Sequence, residues 1–337
     1  MMSFVSDLVE SLRKFYDDYK TRRKFEQSRQ VDISIEEFSK YLEERIKSCF
    51  DESVKTDGHA FEQSVKGLRY LQNIIEMPLR IPGITYDDYQ EIFLHYANPW
   101  MRVQESIHLL TDALLLALSG RYTVAFSSVR SSLESVIQGA FYHGVMEEEC
   151  REKARAILHN TPPNYPCRIR NLIEETLEEI PEDSRTSFIL EIEFLKKLMA
   201  FDSSLMPPAV SSMLRAIIDI YQFPEFDDPF QYLYDELYGT LSIYTHVSME
   251  STTTMQYSED EGVEFDSGRV SKRMITEFLK WFDRTLDAVG LIYLRSVKDM
   301  FGPQARSTVV SIDSGISEFG SKLEFTIKSL YENVGLG

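Results

Sequence analysis

The sequence predicts an all-α protein, a multi-helix up-and-down bundle with an N-terminal helical extension. First, 15 Gly and 12 Pro in 337 residues is sparse punctuation, since about 7% and 5% are usual, and long uninterrupted helices follow. Second, apolar residues recur three and four apart in one segment after another, whereas no stretch alternates apolar and polar residues well enough to seed a sheet. Third, 43% hydrophobic and 27% charged residues is ordinary globular usage, enough at this length to bury a sizeable core and incompatible with wholesale disorder or a collagen-like repeat. No internal repeat of solenoid period is visible.

The elements follow in order. Phe4, Leu8, Leu12, Phe15 and Tyr19 make the stripe of a first helix over 3–29. Ser34 with Glu37 fits a capping box opening a second helix, whose stripe is Phe38, Tyr41, Leu42, Ile46 and Phe50. A third covers about 59–77 and is stopped by Pro78 and Pro82; Thr85 caps a short helix reaching Tyr96. Two long patterns, 100–118 and 122–146, are joined at Ser119 and Gly120, a link so short that the two must form an antiparallel hairpin. An irregular stretch, 160–167, precedes helices near 168–179, 184–201 and 208–221. A Pro/Asp loop, 223–229, leads into a helix over 230–249, and 252–267 reads as a loop or small hairpin. A long helix over 269–300 and a last one over 317–333 complete the chain. The division expected is an extension over 1–80, a bundle over 85–300 and a tail over 301–337.

Charge and cysteines narrow the function classes. Lys plus Arg total 36 against 54 Asp plus Glu, a net charge of -18, which opposes general binding to duplex DNA. The only dense basic patch, Lys20, Arg22, Arg23 and Lys24, reads as the solvated face of the first helix. Cys49, Cys150 and Cys167 form neither a disulfide framework nor a zinc knuckle. Asp7 and Glu10 interrupt the place where a signal peptide needs an apolar core, and the longest apolar run, Ala113 to Leu118, is far too short to span a membrane. A cytoplasmic protein with no membrane contact is expected.

The sharp motifs of nucleotide-dependent and hydrolytic enzymes are missing: no P-loop, dinucleotide glycine fingerprint, GxSxG elbow, HExxH or EF-hand loop occurs. The segment 122–142 is more informative. On a helical wheel Tyr122, Ala125, Phe126, Val129, Leu133, Val136, Ile137, Ala140 and Phe141 fill one broad arc, and Ser127, Ser128, Ser131, Ser132, Ser135 and Gly139 fill the other side. A helix greasy on one side and small on the other packs against neighbours all round. Arg130 projects within the apolar arc and Glu134 at its edge, spaced i, i+4 to pair. Such a pair either fixes helix packing or lines a cleft. A second locus runs from Tyr238 to His246, with His246 off the stripe of Leu233, Leu237, Leu241 and Tyr244. A third is on 100–118: Glu105, His108 and Asp112 share a face, and Glu105 with His108 makes one E-x-x-H, whereas a di-iron bundle needs a second E-x-x-H and two more glutamates from other helices, of which no second copy is found.

The R-x-x-x-E motif of Arg130 and Glu134 followed by the L-S-x-Y-x-H motif of Leu241 to His246 resembles the HEPN-like helical superfamily, in particular an uncharacterised prokaryotic branch. The resemblance covers roughly residues 85–300. It implies an all-α bundle, often dimeric, in which the arginine, the acid and the histidine come together. It also implies kinship with metal-independent ribonucleases of toxin and antiviral systems, which carry R-x(4-6)-H within one helix. Arg102 to His108 has that spacing, with Val103 where those enzymes place a polar residue.

The expected function is the binding of a small anionic or nucleotide-like ligand, or of a protein partner, at Arg130, Glu134, Tyr244 and His246, without cofactor or metal. A homo-oligomer or protein partner is expected, and RNA or a nucleotide is a candidate ligand. Two alternatives stand beside it. One is a metal-independent ribonuclease, in which His246 or His108 acts as general base and an arginine stabilises the developing charge. The other is a structural interaction protein.

Overall fold

In a computed structural model, the structure describes residues 35–77, 95–146, 209–245, 270–300 and 322–335, with shorter pieces at 175–176, 178–181, 189–194, 196, 257–258, 262–263, 305 and 309. The expected first helix with its basic patch, the division near Pro78 to Thr85, the irregular stretch 160–167 with Cys150 and Cys167, and His246 lie outside the described residues. The expected helices near 168–179 and 184–201 lie within them only in part, as helical turns.

The protein is an all-α bundle. Its helices are α1 (Ile35–Ile75), α2 (Ala97–Leu118), α3 (Tyr122–Met146), α4 (Val210–Tyr221), a π-helical segment (Gln231–Tyr238) running straight into α5 (Gly239–Thr245), α6 (Lys272–Ser296) and α7 (Glu324–Asn333). A two-residue antiparallel hairpin, β1 (Tyr257–Ser258) with β2 (Gly262–Val263), pairs Tyr257 with Val263.

The expected second and third helices form one run, α1, broken at Asp57, whose φ of -157° and ψ of 51° leave the helical region. Asp57 Oδ1 accepts from the Ala60 N–H at 3.3 Å and so caps the second half. The α2–α3 hairpin closes as its sequence requires. Gly120, at φ +73°, occupies the left-handed position, its N–H donates to Ala117 O at 3.0 Å, and the Arg121 N–H reaches Leu116 O at 2.9 Å. This Schellman turn satisfies two carbonyls at the end of α2.

α3 is the hub, packing on α2 most extensively and also on α4, α5 and α6. Its small side meets α2: Ser132, Ser135 and Gly139 are buried there, and a Cβ on Gly139 would come within 2.8 Å of the Arg102 Cβ. The hydroxyls on this seam find carbonyls, Ser106 Oγ donating to Ser132 O at 2.7 Å and Ser132 Oγ to Val129 O at 2.6 Å. Ser127 is exposed, so the small arc is covered only in part. α6 packs on α1, α2, α3, the π-helix and α7. One apolar core results, with Phe126, Phe141, Phe278, Phe282 and Tyr293 fully buried. Leu71, Ile74 and Met77 from the expected extension and Leu323 and Leu330 from the expected tail belong to that same core, which therefore crosses both expected divisions.

Candidate functional site

The sequence between α4 and α5 builds an aromatic column whose Tyr238 end reaches α3. Asp228 Oδ1 accepts from the Gln231 N–H at 3.0 Å and caps the helical entry. Beyond it the chain opens into a π-helix rather than the expected α-helix. Phe230, Tyr234 and Tyr238 stack in sequence, with centroids 5.0 and 5.5 Å apart and interplanar angles of 24° and 13°. Arg215 closes one end of the column, 4.3 Å from the Phe230 centroid, and Arg130 the other, 5.2 Å from that of Tyr238.

Arg130 is the point where the two sequence loci meet. Its Nε donates to Glu134 Oε1 at 2.9 Å, and its Nη1 donates to Thr245 Oγ1 at 3.1 Å. The Tyr238 hydroxyl donates to the same Glu134 Oε1 at 2.8 Å, and the Thr245 hydroxyl donates to Ser242 O at 3.0 Å. Arg130 and Glu134 are each one-quarter exposed, so the pair sits at the edge of the core rather than sealed within it as the wheel suggested. Burial opposes the charge of Arg130, but the Glu134 hydrogen bond and the fields of Tyr238 and Glu134 outweigh it and hold the pKa above the usual arginine value. Burial, reinforced by Glu134, pushes the Tyr238 phenol up to about 12, so it stays a hydrogen-bond donor at neutral pH.

Of the expected ligand residues, Arg130 and Glu134 are therefore together, whereas the contact shown for Tyr244 is with Phe126. Its ring lies flat on Phe126, at 4.2 Å and 9°. Tyr238 and Thr245 take the places beside the pair. Tyr238 carried a signal in its four-residue spacing from Phe230 and Tyr234; Thr245 carried none.

The helix of the R-x(5)-H string turns its two ends in different directions. Arg102 Nη2 is bonded to the buried Glu191, Asn98 Nδ2 donates to Glu191 Oε2 at 3.0 Å, and Arg102 Nη1 donates to Glu105 Oε2 at 2.8 Å. Ser135 Oγ donates to that same Glu105 oxygen at 2.7 Å. His108 is exposed, as are Glu105 and Asp112. Among the described residues no three or more His, Cys, Asp or Glu side chains are arranged to hold a metal ion. Glu191 is 89 residues from Arg102, and nothing local in the sequence marks it as a partner.

A second polar feature lies at the other end of α3. His143 is 3% exposed, its ring 5.3 Å from that of His95 and 5.1 Å from that of Tyr96, and its Nδ1 has no hydrogen-bond partner among the described residues. Burial, with His95 adding to it, pushes its pKa down to about 3, so the imidazole is neutral at physiological pH. The sequence reading passed over both histidines because neither stands in a recognisable motif.

No helix among the described residues is long and apolar enough to cross a membrane. No family model matches the chain, and no curated protein or solved structure matches it.

Proposed function

We propose that the cluster of Arg130, Glu134, Tyr238 and Thr245 binds a small anionic ligand of nucleotide type. The observation that carries this reading is a guanidinium held on three sides and still one-quarter exposed. Glu134 and Thr245 fix its plane and Tyr238 supports its face, which orients a half-buried guanidinium toward a phosphate or carboxylate. The supporting π-helix adds weight, because such wide turns are uncommon and concentrate at functional sites. The resemblance to HEPN-like proteins rests on the two motifs and agrees with this reading.

Titration calorimetry with AMP, ATP and inorganic phosphate tests it. One saturable site is expected for at least one nucleoside phosphate. Arg130→Ala should weaken it about tenfold to a hundredfold, the worth of a hydrogen bond to a charged group. Arg130→Lys should not restore it, because an ammonium lacks the fork. Absence of heat with all three ligands, or equal affinity in Arg130→Ala, would remove the proposal.

A further inference from the structure

We infer that Arg284, on α6, anchors a small monocarboxylate with an aromatic body, independently of the reading of Arg130. Among the described side chains, the arginines partly or fully buried are Arg102, Arg130, Arg284 and Arg295. Three of them are bonded to carboxylates: Arg102 to Glu191, Arg130 to Glu134, and Arg295 to Glu225 and Glu332. Arg284 makes no ion pair and no hydrogen bond among the described residues. Its contacts there are with two rings, its guanidinium carbon lying 5.1 Å from the Trp281 centroid and 5.9 Å from that of Tyr232. None of its nitrogens is sealed from solvent. The rings steady the charged group, and its N–H donors are left for a further partner.

The place of Arg284 in the fold says what that partner carries. Every residue of α6 from Thr285 onward is buried, so Arg284 is the last of its side chains that solvent reaches. Beside it Tyr232 of the π-helix stacks on Phe226, at 4.3 Å and 19°, and Phe325 of α7 meets Phe226 at 4.7 Å and 64°. All three rings are only half-buried, an aromatic surface next to donors that lack an acceptor, which suits an apolar body ending in a planar acid. The surroundings favour one negative charge over two. Lys280 lies 3.9 Å from Glu277, and Lys322 is bonded to Asp283, so neither cation adds to Arg284. The fields of Asp287 and Glu236 reach Tyr232 as well, and the whole chain carries a net charge of -18. A carboxylate therefore fits better than a phosphate dianion.

The test titrates the full chain with hydrocinnamate, its uncharged amide, phenyl phosphate, and a capped peptide ending in a free phenylalanine carboxylate. Calorimetry on the wild type is one readout. The emission of Trp281 in Trp100→Phe protein is the other, since the chain has only two tryptophans. Hydrocinnamate is expected to saturate one site per chain at about millimolar concentration or below, ordinary for a ligand of that size. The amide and phenyl phosphate should bind at least about tenfold more weakly, as should hydrocinnamate to Arg284→Gln, the worth of a hydrogen bond to a charged group. Arg273→Gln makes the same change in net charge at an exposed position of the same helix and should leave the affinity unchanged. Binding of the peptide as tightly as hydrocinnamate would extend the inference to chain termini, and its failure would confine it to the free acid. No saturable binding of hydrocinnamate, tighter binding of phenyl phosphate, or equal affinities in Arg284→Gln and Arg273→Gln would overturn it. If Trp100→Phe does not fold, calorimetry alone decides.

Discussion

At Arg130 the question is how much a partly exposed ion pair contributes. Breaking a sealed pair by removing one partner costs about 3–5 kcal/mol, whereas exposed pairs are worth about 0–1 kcal/mol. Both side chains here are one-quarter exposed, and after Arg130→Ala the Tyr238 hydroxyl would still donate to Glu134. We therefore expect a loss of about 1–2 kcal/mol by urea denaturation, and a coupling of about 1 kcal/mol in a cycle with Glu134→Ala. A loss above about 3 kcal/mol would mean that the pair is sealed in solution.

Asp287 on α6 gives the clearest pH dependence. Its carboxylate accepts the Thr326 N–H at 2.8 Å and the Phe325 N–H at 3.1 Å, capping α7 from outside that helix, whose own N-cap residue makes no side-chain bond. Burial nevertheless outweighs these bonds, and with a smaller push from Glu324 it raises the pKa from 3.8 to about 6. The folded state then holds its proton more tightly than the unfolded state. This contribution to stability is full below the ordinary value of 3.8 and fades as the pH rises through about 6. The stability of the wild type relative to Asp287→Asn should accordingly fall by roughly 2 kcal/mol between about pH 4 and pH 7. A pH-independent difference would show that the backbone bonds, not burial, set this carboxylate.

At the scale of elements, α7 docks through a close and largely polar approach. A Cβ on Gly290 would lie 2.8 Å from the Thr326 Cγ2 and 2.9 Å from the Leu71 Cδ1. Thr326 has no room to swing, since its hydroxyl is 2.7 Å from Asp287 Oδ1 and 2.9 Å from its carbonyl. Arg295 then ties Glu332 of α7, at 2.8 Å, and the buried Glu225 of the loop before the π-helix. Gly290→Ala would gain up to about 1 kcal/mol of helix propensity but lose about 1–3 kcal/mol to overpacking. A net drop in melting temperature is expected, together with faster proteolysis near the C-terminus. An unchanged or raised melting temperature would mean that α7 is not seated this closely.

The helices with strong apolar periodicity were legible within a few residues of their ends: 208–221 against Val210–Tyr221, 122–146 against Tyr122–Met146. The π-helix was not, because aromatics four apart at Phe230, Tyr234 and Tyr238 read equally well as an ordinary helix. The site divides in the same way. Arg130 and Glu134 are a local i, i+4 pair and could be read from sequence, whereas the bonds to Thr245 and Tyr238 span 115 and 104 residues. Tyr244 stacks on Phe126, a contact that spans 118 residues and has no local mark in the sequence. The cap at α7 was equally invisible, since its donor and acceptor are 39 residues apart.

For the whole molecule, one core joins α1 through α7, so damage at α7 or α1 should be felt in the same cooperative transition as damage at α3. The net charge of -18 should prevent retention of duplex DNA in a gel-shift assay at physiological salt, because phosphate attraction needs local basic residues to outweigh the field of the whole chain. A tight, salt-sensitive duplex complex would contradict that.

The central claim is that Arg130, supported by the Tyr238 end of the aromatic column, is where a nucleotide-type anion binds, and the most direct measurement watches that column. Protein labelled at the tyrosine rings would be titrated with AMP or ATP and followed by NMR, with Tyr234→Phe and Tyr238→Phe assigning the signals. The account predicts that the Tyr238 resonance shifts first and furthest, saturates with one ligand per chain, and stays still in Arg130→Ala protein. Saturable binding that leaves the Tyr238 resonance unmoved, or that persists unchanged in Arg130→Ala, would contradict it.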